Sequence, residues 1–246
     1  MTQHPFTIQY QEVDGNRKLR LYTLENMILN SASVSADITG FGIKYLSKQD
    51  CTWVLTNLSL EVYYLPTSRE HIRVDTWVEN ARHLLSVRNF KIWLIKEDGK
   101  EELIAQARSV WAIISLKDRT IQNVFDQEVF TSYEYGEHLD IANARRMPVH
   151  AQETTVQVEH PIVYSDIDYN GHCNSCKYLE FMLNAHFPEC MNNRFRLELK
   201  YAKEMHQNDV ANITYWHPEQ DPQSVRYELK NAAGESTCSA YLYAIE

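Results

Sequence analysis

The sequence predicts an α+β chain of two tandem domains, each an antiparallel sheet wrapped around a central helix. Three observations lead there. Short stretches of the first half recur in order in the second, and both halves run strand, helix, then several long strands rich in β-branched and aromatic residues. The helix of the second half is also apolar around most of its circumference, which asks for a sheet to enclose it.

The repeat shows in three places. Leu60-Glu-Val-Tyr-Tyr64 resembles Leu197-Glu-Leu-Lys-Tyr201 at an offset of 137 residues, and Ser86-Val-Arg88 recurs as Ser224-Val-Arg226 at 138. Trp111-Ala-Ile113 is echoed by Tyr243-Ala-Ile245 at 132, as a shorter preceding turn would produce. Each match is short; their common order and near-constant offset point to a duplication.

In the first half, Phe6 to Val13 reads as a strand before a turn at Asp14-Gly15, and Thr23 is placed to N-cap a helix that begins at Leu24. Strands are predicted at Trp53 to Tyr63, Ile72 to Glu79, Leu84 to Ile95 and Ala105 to Ser115, broken by turn residues such as Asp98-Gly99. In the second half they fall at Thr155 to Val163, Arg196 to Ala202, Val210 to Trp216, Ser224 to Lys230 and Cys238 to Ile245, with Asn231-Ala-Ala-Gly234 as the last hairpin. The helix lies near Asn174 to His186, with Cys176, Leu179 and Leu183 on one face and Tyr178, Phe181, Met182 and Ala185 over much of the rest. This gives domains at 1–120 and 152–246. The connection at 121–151 has no clear periodicity, includes Arg145-Arg-Met-Pro148, and is long enough to be expected to pack across the surface.

Composition narrows the function classes. With 246 residues, 44% of them hydrophobic, the chain can fill a substantial core. It holds no run near the roughly 20 apolar residues of a membrane span, and Met1-Thr-Gln-His-Pro5 is unlike a signal peptide. Five scattered cysteines argue for reduced thiols and a cytoplasmic setting. A net charge of -9 offers no global attraction for nucleic acid.

The segment Tyr164 to Tyr178 gathers the residues with chemistry. Asp166-Ile-Asp-Tyr-Asn-Gly171 is, on its plainest reading, a turn. Asp166, Asp168, Asn170 and Gly171 match positions 1, 3, 5 and 6 of a calcium-binding EF-hand loop, but position 12 is Lys177, where a bidentate Glu is needed. Cys173-Asn-Ser-Cys176 has redox or zinc spacing, yet no second Cys pair or paired His ligands complete a tetrahedral set, and two small thiols entering a buried helix account for it. No metal or cofactor is expected. His186-Phe-Pro188 resembles the entry of hotdog dehydratases but lacks their continuation, and reads as a helix terminus.

The stretch Asp166-x-Asp168-x-Asn170-x-His172-Cys173-Asn174-Ser175-x-Lys177-Tyr178 resembles the active-site pattern of hotdog-fold thioesterases. The likeness is to acyl-acyl carrier protein thioesterases of the plant and bacterial type, with departures at Cys173 and Ser175. Trp53-Val-Leu-Thr56 and Val74-Asp-Thr-Trp-Val78 look like first-domain strands of that family, and Leu199-Lys-Tyr-Ala-Lys-Glu204 like its second-domain acidic motif. The resemblance implies tandem hotdog domains, acyl-chain binding in the first, catalysis in the second, and Asp168, Asn170, His172 and Glu204 as the catalytic set.

Thioester hydrolysis needs an activated water, a polarised carbonyl and a protonated leaving thiol, and these four residues carry groups for all three. Alternation along an extended stretch would put residues 168, 170 and 172 on one side. Glu204, expected on a neighbouring strand, would act as general base or else as nucleophile. His172, held by Asp168 or a backbone carbonyl, would serve the carbonyl or the leaving thiolate, and Asn170 the water or the carbonyl. Backbone N–H groups near Cys173 and Asn174 are candidate oxyanion donors. Family members commonly place Cys after this Glu; Met205 stands here and cannot act as a nucleophile.

The small-residue run Asn30 to Ala36 leaves room for an acyl chain or for close helix–sheet packing. The implied partner is an acidic acyl carrier protein bearing a fatty acyl thioester, for which Arg194, Arg196, Lys200 and Lys203 are candidate docking residues. Exposed sheet edges would suit a homodimer. An acyl-CoA thioesterase or a non-catalytic acyl-binding module would share the fold.

Overall fold

The computed structural model describes residues 1–123, 125–145 and 156–246. The chain divides into two compact units, Met1–Asn143 and Ala144–Glu246.

In the first unit, β1 (Thr2–Thr7) leads through a short 3-10 turn into α1 (Leu21–Ile38), and α2 (Ile43–Leu46) follows. Then come β2 (Cys51–Val62), β3 (His71–Arg82), β4 (Leu85–Ile95), β5 (Glu101–Ser115) and the single turn α3 (Glu128–Thr131). The strands pair antiparallel in the order β1-β3-β4-β5-β2. α1 packs on β3 and buries Leu21, Leu24, Met27, Ile28, Ser31, Ala32, Ser35 and Ala36.

The second unit holds β6 (Val156–Pro161), α4 (Ser175–Ala185), β7 (Phe195–Tyr201), β8 (Val210–Trp216), β9 (Val225–Lys230) and β10 (Ser236–Ala244). Their antiparallel order is β6-β8-β9-β10-β7, the first unit's order shifted by five, and α4 packs on β8 and β9. The sequence echoes fall on equivalent strands: Leu60 on β2 and Leu197 on β7, Val87 on β4 and Val225 on β9, Trp111 on β5 and Tyr243 on β10. Two tandem domains, each a sheet around a helix, are therefore present as the repeat predicts, in the hotdog arrangement that the resemblance implies.

Two elements begin earlier than local signals place them. The first strand is Thr2–Thr7 rather than Phe6 to Val13, because Thr2 to Thr7 pair with His71 to Thr76, while Tyr10–Glu12 coils into a 3-10 turn closed by the Gln9 N–H to Glu12 carboxylate bond at 2.7 Å. Helix α1 starts at Leu21, with the Arg20 carbonyl accepting from the N–H groups of Thr23 (3.0 Å) and Leu24 (3.1 Å). Thr23 thus lies inside the first turn, and burial of Leu21 outweighs its capping preference.

Within the expected connection 121–151, residues 124 and 146–151 lie outside the described residues. Residues 125–143 pack as part of the first unit: Phe125 and Phe130 are buried with Phe41, and Trp77 closes over Leu139 and Ile141. In the small-residue run, Ser35 admits a buried arginine, since Arg88 Nη1 donates to Ser35 Oγ (3.0 Å) and Thr76 Oγ1 (3.2 Å). Burial lowers the Arg88 pKa to about 10.

Candidate active site

The second unit assembles the predicted residues at the start of α4. After β6, Tyr164–Asp166 forms a 3-10 turn in which buried Asp166 accepts the Val163 N–H at 2.9 Å through Oδ2 and the Asn174 N–H at 2.8 Å through its carbonyl. Lys177 Nζ stands 3.6 Å from Asp166 Oδ1. Asp166 therefore ties both ends of the site segment together.

Between Ile167 and Cys173, which form a β-bridge, the chain turns tightly instead of running extended. Asp168 N–H donates to the His172 carbonyl (2.8 Å) and Gly171 N–H to the Asp168 carbonyl (3.0 Å). Asp168 Oδ1 accepts the N–H groups of Asn170 (2.8 Å) and His172 (3.4 Å). The alternation argument thus fails here: an aspartate taking amides two and four residues on folds the segment back, with Gly171 at φ +78°. Asp168 holds the His172 main chain, not its ring, so the expected Asp168–imidazole contact is replaced by a main-chain one.

Asn174 caps α4, its side-chain oxygen accepting the Cys176 N–H at 3.0 Å. The expected oxyanion donors are already used: Cys173 N–H donates to the Met205 carbonyl (2.7 Å) and Asn174 N–H to Asp166. Buried Met205 is strapped a second time, its own N–H donating to the Tyr178 hydroxyl at 3.0 Å. Sequence reasoning missed this strap; the Tyr178 position in the motif was the only available signal.

Glu204 and His206 flank Met205 in the connection after β7, not on a strand. Glu204 Oε1 lies 3.6 Å from His172 Nδ1, too long for a direct hydrogen bond but close enough for one oxygen atom to reach both at about 2.8 Å. The structure thus brings His172 and Glu204 together, with Asn170 exposed at the turn and Asp168 beneath it. The His206 ring stands 4.9 Å from that of His172, centroid to centroid, at an interplanar angle of 84°.

All five cysteines are buried and none is in a disulfide. Burial, reinforced by Asp166, pushes the Cys173 thiol up to about 12, so the one nearest the site is no thiolate nucleophile at neutral pH. Among the described residues no group of three or more His, Cys, Asp or Glu is placed to hold a metal ion, and no helix is long and apolar enough to cross a membrane. His186 ends α4, as its sequence context predicts, and stacks on Tyr215 at 4.6 Å. Of the candidate docking residues, Arg196 is buried and bonds Glu198 Oε1 at 3.1 Å, so it is unavailable; Lys203 is paired with Glu235.

A sheet closing on a helix, twice over in the same strand order, makes this a hotdog-type α+β protein. The chain belongs to the acyl-ACP thioesterase family, whose N-terminal domain matches residues 1–133 and whose C-terminal domain matches residues 149–243. An acyl-ACP thioesterase from Bacteroides thetaiotaomicron of known structure is 32% identical, with a TM-score of 0.83 over 98% of this chain and 96% of that one. The 12:0-ACP thioesterase from Umbellularia californica, 18% identical with a TM-score of 0.79 over 98% and 95% of the two chains, shares the fold. A chloroplastic acyl-(acyl-carrier-protein) hydrolase of Cuphea viscosissima is 26% identical over 93% of this chain, which spans 59% of that relative's length.

Proposed function

We propose that the protein hydrolyses the thioester of fatty acyl-acyl carrier protein and releases the free fatty acid, with Asp168, Asn170, His172 and Glu204 as its working set. The observation that carries the reading is the approach of Glu204 Oε1 to His172 Nδ1, 3.6 Å, at the family's own motif. A water seated between them gives a proton to Glu204 as it attacks the carbonyl carbon. His172 and the Asn170 amide donate to the carbonyl oxygen as it becomes an oxyanion. Asp168 is a positioning residue that holds the turn carrying both. Glu204 acts as base in preference to nucleophile, a role supported by its approach to the His172 imidazole at 3.6 Å.

The second unit is assigned the chemistry and the first the acyl chain, and no cofactor is required. The carrier protein is acidic, and exposed Arg194 with half-buried Lys200 is placed to dock it. Five cysteines outside any disulfide support a cytoplasmic setting.

Thiol release from a panel of acyl-carrier and acyl-CoA esters of varied length tests the reading. Preference for carrier esters is expected. Equal kcat/KM on CoA esters moves the reading to an acyl-CoA thioesterase, and no release from any ester removes hydrolysis. Asn170→Ala, His172→Ala and Glu204→Ala should each lower kcat at least about tenfold with the fold intact. Near-normal turnover in His172→Ala or Glu204→Ala sinks the site.

A further inference from the structure

We infer that His206 is a further catalytic residue, the acid that protonates the leaving thiol. The inference rests on the hydrolase reading above and settles which of two tasks His172 performs.

Four observations converge on it. The His206 ring meets the His172 ring at 4.9 Å, and His172 Nδ1 in turn lies 3.6 Å from Glu204 Oε1. Its main chain is fixed: Asp209 Oδ2 accepts the His206 N–H at 2.8 Å, Asp209 N–H returns to the His206 carbonyl at 3.1 Å, and Ile162 bonds both Asn208 and Asp209. The Asp209 carboxylate also lies 3.9 Å from ring Nδ1, which leaves Nε2 as the nitrogen to meet a substrate. Finally, the His206 side chain is 60% exposed, against 24% for His172 and 37% for Glu204.

That gradient orders the site from solvent inward. A thioester on a carrier must keep its carrier outside and send its acyl chain in, so the sulfur lies on the solvent side of the carbonyl carbon. His206 is the acid–base group on that side. With Glu204 occupied by the water and His172 by the carbonyl oxygen, the alkyl thiolate still needs a proton. When the tetrahedral intermediate collapses, the C–S bond breaks, its electron pair goes to sulfur, and the Nε2 proton of His206 follows. The proton that Glu204 took from water returns to His206 through solvent, which closes the cycle.

The test compares two decanoyl thioesters, one of pantetheine and one of thiophenol, whose thiolate leaves without help. His206→Gln and His206→Asn, both at an exposed position, should lower the ratio of pantetheine-ester to thiophenol-ester kcat at least about tenfold relative to the unsubstituted protein. His172→Gln should slow both esters together and leave the ratio unchanged. An unchanged ratio in both His206 variants overturns the inference, whether activity is normal or equally reduced; equal reduction on both esters assigns His206 to holding the His172 ring. A protein that releases thiol from neither ester before substitution removes the hydrolase reading itself.

Discussion

Tyr178→Phe deletes one oxygen from the interior of the second unit and tests whether the Met205 strap positions the site. The hydroxyl accepts the Met205 N–H at 3.0 Å, and Met205 is fully buried, so no water replaces it. An orphaned buried amide costs about 1–3 kcal/mol. Burial, with Cys173 and Cys238 nearby, raises the phenol pKa, so the wild-type group stays neutral and the loss is that of a neutral hydrogen bond. For a chain of this size, about 2 kcal/mol lowers Tm by roughly 4–8 °C. The catalytic effect follows from position: Glu204 and His206 sit on either side of Met205, and the remaining Cys173 N–H bond restrains only its carbonyl. Since a displacement of about 1 Å in a catalytic group costs on the order of a hundredfold, kcat should fall at least about tenfold while KM, set largely by the acyl chain, changes little. Thermal unfolding and steady-state hydrolysis of one acyl thioester measure both. Unchanged Tm and kcat would refute the strap; a lowered Tm with normal kcat would make it structural only.

Two further outcomes follow from the same geometry. Burial raises the Glu79 pKa, but hydrogen bonds from Arg108, Asn89 and His138 overcome this and hold it at about 2, against an ordinary 4.5. Because the folded value is depressed, the stabilisation is complete above about pH 4.5 and is lost as pH falls toward 2. Glu79→Leu should flatten that acid limb in denaturant titrations and cost about 3–5 kcal/mol at pH 7 by stranding buried Arg108, with Glu79→Leu/Arg108→Leu recovering most of it; equal losses in both would contradict this. Gly171→Ala should cost about 1–2 kcal/mol from positive φ alone, since nothing lies within 4 Å of the added methyl, and Gly171→Asn less. Equal stability of Gly171→Ala and wild type in urea unfolding would remove the backbone argument.

Much of the second unit was legible in the sequence because its signals are local. α4 runs Ser175–Ala185 inside the predicted span from Asn174 to His186, His186 ends it, and Val210–Trp216 is a strand as predicted. Asn231-Ala-Ala-Gly234 makes the last hairpin, with Gly234 N–H on the Asn231 carbonyl at 2.9 Å. The start of α1 was misplaced because Thr23 is a good cap by itself, and only the burial of Leu21 against the rest of the unit overrides it. Arg196 was expected as a docking residue, yet it is buried beside Glu198, and Glu198 meets its other partner Tyr243 only across the β7–β10 pair.

The turn at residues 168–172 shows where pattern reasoning stopped. Its composition named both a turn and a motif, and the side-chain alternation borrowed from strands chose the wrong backbone for it. By itself the sequence determined the duplication and the plan of a sheet around a helix, and the motif's resemblance to a family implied the hotdog architecture, because each is written in residues a few positions apart or in a repeat of the chain against itself. The tertiary structure alone decided that Tyr178 holds Met205 from 27 positions away, and that Glu204 faces His172. It also decided that His206, which no pattern marked, stands against His172. Those contacts close only when the connection after β7 meets the site segment and the start of α4, and packing between distant segments leaves no local trace in the residues that make it.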